Sequence, residues 1–210
     1  MFVSFSVGNT GPFKEVTGIT TVCESLKKEF LGKNTFEVGG HNYNKISYIY
    51  GANGSGKTNF LSALTKMQKM IIMSTVLGAN NNKLLEVPAI KKELASPIET
   101  FKFDVDCKSR ETFFEIQVLL EGILYSYSFA VQDGKIQREL LTKKNKRTEI
   151  LIKRTSPKYE DILLRSGLAS FKGMVTVVRD DALCMAMAAM LNNPLAIKIL
   201  NEIMNYRVIN

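Results

Sequence analysis

Residues Gly51-Ala52-Asn53-Gly54-Ser55-Gly56-Lys57-Thr58 follow the spacing G-x-x-x-x-G-K-[ST]. Their types suit one task, the cradling of a phosphate chain. Gly51, Gly54 and Gly56 let the backbone turn tightly and bring N–H groups close to an anion. A helix that starts at the end of such a loop adds unpaired donors and partial positive charge. The ammonium of Lys57 can reach the β- and γ-phosphates. The hydroxyl of Thr58 can ligate a magnesium ion that bridges them. With the intervening Ala52, Asn53 and Ser55 and the following Asn59, these positions form the candidate binding set, and Thr58 is the candidate metal ligand.

The chemistry requires a strand before the loop and a helix after it. Lys45-Ile-Ser-Tyr-Ile-Tyr50, rich in β-branched and aromatic residues, reads as the strand. From Asn59 onward, Phe60, Leu64, Met67 and Ile71 fall at helical spacing, with Leu61 and Met70 widening the stripe. Gly78-Ala-Asn-Asn-Asn82 breaks this helix, and residues 80–99 read as a loop.

Elsewhere the periodicity changes twice. Residues 2–8 alternate in strand fashion, Asn9-Thr-Gly-Pro12 reads as a turn, and Val16–Val22 as a second strand pairing with the first. Residues 23–44 are polar and irregular, consistent with a short helix or a hairpin arm. Five runs then carry a period of two: Phe101–Cys107, Thr112–Leu120, Ile123–Val131, Lys135–Leu141 and Thr148–Lys153. Glu121-Gly122 and Gln132-Asp133-Gly134 punctuate them as hairpin turns. The pattern predicts a five-stranded antiparallel meander. Ser156-Pro157 opens a predicted short helix that Gly167 ends. Asp180–Leu191 reads as a nearly all-apolar, buried helix, and Leu195, Ile199, Leu200 and Ile203 as a last amphipathic one after Asn192-Asn-Pro194.

The 210 residues, 45% of them hydrophobic, suit one sizeable α/β domain. Its expected parts are a strand–loop–helix core over 1–98, an antiparallel lobe over 99–155 and a helical segment over 156–210. No apolar run approaches the roughly 18–20 residues needed to span a bilayer, and the first residues read as a strand rather than a signal peptide. Cys23, Cys107 and Cys184 are scattered, without metal-type spacing, and suit reduced thiols in a cytoplasm. The one histidine, His41, sits in a predicted solvated Gly-Gly-His-Asn loop and excludes most histidine-based metal sites and triads. The net charge of +8, with clusters at Lys27-Lys28, Lys91-Lys92, Lys143–Arg147 and Lys153-Arg154, suits nucleic acid or another polyanion. Taken singly, each cluster also reads as a solvated face or hairpin tip.

The narrower pattern G-x-N-G-S-G-K within the loop resembles the ABC-type head ATPases of the SMC, RecF and OLD-like group. Met1–Val7 with Asn9 and Gly11-Pro-Phe-Lys-Glu15 resembles their opening strand and turn, although Thr10 departs from the usual aromatic. Tyr50–Leu61 and the hairpin stretch Gly122–Leu140 resemble AAA-family ATPases of abortive-infection and related anti-phage systems, as does the helical stretch from Val178 onward. The resemblance implies a P-loop NTPase fold of ABC type with an antiparallel β-lobe and C-terminal helices. It implies ATP and Mg2+ as cofactors, bound at the Walker A residues Gly51–Thr58. It also implies a second head, in a homodimer or on a partner ATPase, with a role in anti-phage defence or DNA maintenance.

Hydrolysis needs more than a cradle. In the resembled heads an apolar strand ending in Asp-Glu supplies a second magnesium ligand and a base, and a serine-glycine signature from the partner completes the site. Met174–Asp181 comes nearest to the acidic strand, but Arg179 interrupts it and neither acid is Glu. Arg165-Ser166-Gly167 is not followed by the helix a signature needs. Gln117, Gln132 and Gln137 match a magnesium-sensing glutamine by type alone. No catalytic residue is therefore assigned. The expectation is an N-terminal half-head that binds ATP; the alternative is a non-catalytic nucleotide-binding module docking on a partner.

Overall fold

The structure, a computed structural model, describes residues 1–23, 32–76 and 99–206. The broken helix end at Gly78–Asn82, the loop at 80–99 up to residue 98, and the clusters Lys27-Lys28 and Lys91-Lys92 lie outside the described residues. A seven-stranded antiparallel sheet forms the body. Its strands are β1 (Phe2–Gly8), β2 (Thr17–Thr20), β5 (Thr112–Leu120), β6 (Ile123–Gln132), β7 (Lys135–Lys144), β8 (Thr148–Arg154) and β9 (Ile162–Leu164), in the order β2-β1-β5-β6-β7-β8-β9. A separate hairpin joins β3 (Thr35–Val38) to β4 (His41–Asn44). One face of the sheet is covered by α1 (Lys57–Val76), α2 (Cys184–Met190) and α3 (Pro194–Met204).

Alternation along the strands sets the two faces. Val3, Phe5 and Val7 point into the core from β1, as do Phe114, Ile116 and Val118 from β5 and Tyr127 and Phe129 from β6. Ser4, Ser6, Ser126 and Ser128 lie on the opposite face, as expected for an antiparallel sheet with one solvated side. Helix α1 meets the core with Phe60, Met67 and Ile71 of the predicted stripe and with Ala63; Leu64 and Met70 pack partly buried beside them, and Leu61 is exposed instead. Helix α2 is buried nearly all round. Helix α3 starts one residue before the predicted stripe, with Pro194 in its first turn and the Asn193 side chain accepting from Ala196 N.

Several expectations are corrected. Residues 45–50 pair with no strand of either sheet: Tyr48 and Tyr50 are 83% and 91% exposed and Ile46 67%. A strand needs a neighbour for its ladder, and neither β2 nor β9, the two sheet edges, is offered to it. Phe101–Cys107 is not a strand. The Asp104 carboxylate accepts from Asp106 N and caps a 3-10 turn over Val105–Ser109, so local capping overrides the alternation. The predicted helix from Ser156 is instead a 3-10 turn at Tyr159–Asp161 followed by β9, because Ile162-Leu-Leu164 fills the open edge of β8. Asp180–Leu183 does not begin α2; Leu183 is extended and precedes the first helical residue. His41 is the exposed first residue of β4, since Gly39 and Gly40, both at positive φ, make the turn.

Beneath the sheet lies a buried polar knot. Glu139 of β7 accepts from Cys184 N (2.7 Å) and Met185 N (2.9 Å) at the start of α2, and from the Tyr127 hydroxyl (2.9 Å). Its cross-strand neighbour Arg154 donates to the carbonyls of Ala182, Arg179, Ser156 and Pro157. Ser74 of α1 accepts from Leu183 N at 3.0 Å. Burial pushes the Glu139 carboxyl above its ordinary value of 4.5, against the pull of its donors, and also pushes up the thiol of Cys184.

Glu139→Gln replaces an oxygen that accepts a backbone N–H with an amide that cannot, and is expected to cost about 1–3 kcal/mol in urea unfolding at pH 7. A carboxyl holding its proton more tightly folded than unfolded contributes stability that declines as pH rises from 4.5 through its folded pKa. That decline is expected in the wild type and absent from the glutamine variant.

Candidate functional site

The loop Gly51–Gly56 lies at the mouth of α1, and its helix start is fixed from below. Phe60, in the first turn, packs edge-on against Phe5 of β1 (ring centroids 5.4 Å apart) and Phe13 of the opening turn (5.9 Å). Phe60 N also donates to Gly56 O at 2.8 Å, which ties the last loop residue into the helix. The opening turn is itself pinned. Asn9, at φ +50°, donates through its amide to the carbonyls of Cys107 and Arg110, both at 2.9 Å, while its own carbonyl accepts from the Thr112 hydroxyl. Thr10 is buried and donates to Glu99 O. This turn supports the loop from beneath with Pro12 and Phe13.

Gly54 and Gly56 both adopt positive φ, +82° and +91°. At Gly56 a Cβ would also come within 3.0 Å of Pro12 Cγ and 3.3 Å of Phe13 Cζ, whereas at Gly54 it would meet open space. The residue types therefore answer two constraints: left-handed backbone at both glycines and a close approach to the turn at the second.

Lys57 Nζ donates to the carbonyls of Gly51 and Ala52, both at 2.7 Å, with the Ser55 hydroxyl at 3.4 Å. The ammonium thus staples the two ends of the loop. An ammonium has three N–H donors: the two carbonyls take two, and the third makes only the long contact to the Ser55 hydroxyl, the one an anion would most readily replace. Among the described residues no acceptor engages the backbone N–H groups of Lys57, Thr58 or Asn59, the orphan donors of a helix start. Thr58 and Asn59 are exposed on that turn. Unpaired donors, a stapled lysine and a hydroxyl at the same helix end are the donor set that a phosphate chain with its divalent cation requires. Among the described residues no group of three or more His, Cys, Asp or Glu side chains gathers as a metal centre.

Met174–Asp181, Ser166 and the glutamines Gln117, Gln132 and Gln137 do not join this constellation. Met174–Asp181 forms part of a 3-10 run and the loop after it, not a strand. Asp181 pairs with Arg179 at 2.7 Å, and Asp180 with Lys135 at 3.0 Å, which holds the Asp180 carboxyl below its ordinary value. Ser166 donates its hydroxyl to Glu149. Gln132 donates to Ser109 O, Gln137 to Gln132 O, and Gln117 lies in mid-strand in β5.

Two supporting groups escape sequence reasoning. Asn9 has a signal, an asparagine opening a Thr-Gly-Pro turn, but nothing in it points 98 residues ahead to Cys107. Ser74 has none, being one hydroxyl on an apolar helix.

A family model described as "AAA domain, putative AbiEii toxin, Type IV TA system" matches residues 46–172. No curated protein and no solved structure matches the chain.

Gly54→Ala and Gly56→Ala incur the same left-handed penalty, but only the second drives a methyl into Pro12 and Phe13. Gly56→Ala is expected to be the less stable by about 1–3 kcal/mol in paired urea denaturation curves.

Proposed function

The chain belongs to the AAA-domain family associated with AbiEii-type toxins of type IV toxin–antitoxin systems, and from that premise we propose that it binds ATP and Mg2+ through Gly51–Asn59. Membership supports a nucleotide-binding ATPase domain. The observation that carries the site assignment is the Lys57 ammonium held between the Gly51 and Ala52 carbonyls, above a helix start with unpaired donors. Lys57 would neutralise the terminal phosphates, the N–H groups of the loop and of Lys57–Asn59 would orient them, and Thr58 would ligate the cation. Bound Mg2+ would supply charge neutralisation of the phosphate chain.

The finer reading is an ABC-type half-site of the SMC, RecF and OLD-like group, acting in the cytoplasm in anti-phage defence or DNA maintenance. One observation supports it. The stretch leading into the loop, Lys45–Tyr50, has strand composition but no strand partner, and its Ile46, Tyr48 and Tyr50 side chains are exposed. A second ATPase half, in another copy or a partner chain, would cover this stretch and supply the acidic strand and signature. The same exposed stretch also favours a second reading, a non-catalytic module that holds nucleotide and docks on a partner ATPase.

Titration calorimetry with ATP and Mg2+ on wild type and Lys57→Ala tests the site. The variant is expected to lose at least about tenfold in affinity, in line with removal of a charge-assisted contact and the loop's staple. Equal affinities would overturn the assignment. A phosphate-release assay on the same samples should show background turnover by the chain alone. Brisk turnover would overturn the half-site reading, and turnover gained with a partner chain would set aside the non-catalytic one.

A further inference from the structure

We propose that the β7–β8 hairpin tip is a sequence-independent contact for the phosphate backbone of duplex DNA, separate from the nucleotide loop. Lys143, Lys144, Lys146 and Arg147 fall within five residues at this tip. Lys143 is paired with Glu149 at 2.9 Å. Lys144, Lys146 and Arg147 are exposed, and no ion pair or side-chain hydrogen bond engages them among the described residues. Lys153 on β8 and Arg165 just past β9 are exposed and equally unengaged, and they extend the charge along the same side of the sheet. Several cations elsewhere on the surface are matched, while Lys33, Lys108, Lys158 and Lys172 are exposed and unpaired one at a time along the chain. Lys135 meets Asp180, Arg138 meets Glu111, Lys198 meets Glu121 and Lys14 meets Asp104. Among the described residues the tip is thus where unpaired cations follow one another in the sequence.

That arrangement carries a cost with no structural return. Like charges at neighbouring positions of a hairpin repel. Guarding a sheet edge does not explain them, because β7 and β8 are interior strands and the edges are β2 and β9. A polyanion offsets the repulsion. The choice among polyanions follows from what surrounds the charge. Asn145 and Thr148 complete the tip, with no apolar or aromatic anchor among them. Protein interfaces are depleted of lysine and centre on apolar or aromatic side chains, so an acidic protein surface would find little to bury here. Phosphate backbones need only the cations. β6 flanks β7 as far as Lys144, so the tip presents the turn at 145–147, and such a turn can lie against the phosphates that wall the major groove of B-form DNA, about 12 Å wide, whereas that of duplex RNA is deep and too narrow. One amide, Asn145, is too little to read a base sequence.

Fluorescence anisotropy of a labelled DNA duplex over a salt series tests the proposal on the full chain. Wild type is expected to bind at low salt, with log K falling against log salt at a slope of about −3, as for three to four neutralised phosphates. The triple variant Lys144→Glu, Lys146→Glu, Arg147→Glu is expected to lose at least about tenfold and flatten the slope, near one unit per contact. Lys144→Arg, Lys146→Arg, Arg147→Lys should keep wild-type binding, and circular dichroism checks that each variant is folded. A control with the same change in total charge, Lys108→Glu, Lys158→Glu, Lys198→Glu, should bind much as wild type does. Equal loss in control and tip variants would overturn the proposal, since the tip would then act only through net charge. Duplex RNA binding as tightly as DNA, or poly-glutamate binding in place of DNA, would overturn it as well.

Discussion

The carboxylate of Glu139 is the joint on which the fold turns. It leaves the middle of β7, enters the core and accepts the first two N–H groups of α2. A buried carboxylate is tolerated only where hydrogen bonds replace its lost water, and here two amides and the Tyr127 hydroxyl do so. Arg154, on the next strand, satisfies the carbonyls of the chain leading into that helix. Sheet and helix are thereby locked in one register, since a slip of one residue would turn Glu139 to the solvated face and strand the donors. Every buried side-chain nitrogen and oxygen of the described residues finds a partner, so the network specifies one packing rather than several.

The consequence reaches the loop Gly51–Gly56 through α1. That helix is held near its far end by Ser74, which accepts from Leu183 N beside the knot, and at its start by Phe60 between Phe5 and Phe13. Gln68, midway, donates to the carbonyls of Ile203 and Tyr206 at the end of α3. The residue that opens the helix, Lys57, is therefore placed by contacts distributed over the whole core. On the loop's other side the support ends. Lys45–Tyr50 leads into Gly51 without a ladder to fix it, so the loop is held where it meets the helix and unpaired where the chain enters it.

How much of this was legible in the sequence depended on the range of the interactions. Most of the α1 stripe, four of the five strands of the meander (β5–β8) and the last helix follow from local spacing, and the structure shows them. The strand reading of 45–50 fails because a strand is a property of two segments, and composition describes one. The strand reading of Phe101–Cys107 fails because the Asp104 cap is worth more than weak alternation. The helix read at Ser156 fails because the edge of β8 draws Ile162–Leu164 into the sheet. Within the candidate site, the glycines at positive φ and the lysine that opens the helix were legible from their types. The props beneath them were not: Asn9 reaches carbonyls about a hundred residues away and Glu139 caps a helix 45 residues on, and no periodicity encodes such pairs.

The most direct test of the account is an amide NMR titration of the 15N-labelled chain with ATP and Mg2+. Saturable shifts should appear at Gly54, Gly56, Lys57, Thr58 and Asn59, where N–H groups await an acceptor, with smaller ones at Pro12–Phe13 neighbours and none at the β7–β8 tip. Saturable shifts that leave residues 51–59 untouched, or no saturable shifts at all, would contradict the claim that this loop is an assembled phosphate cradle.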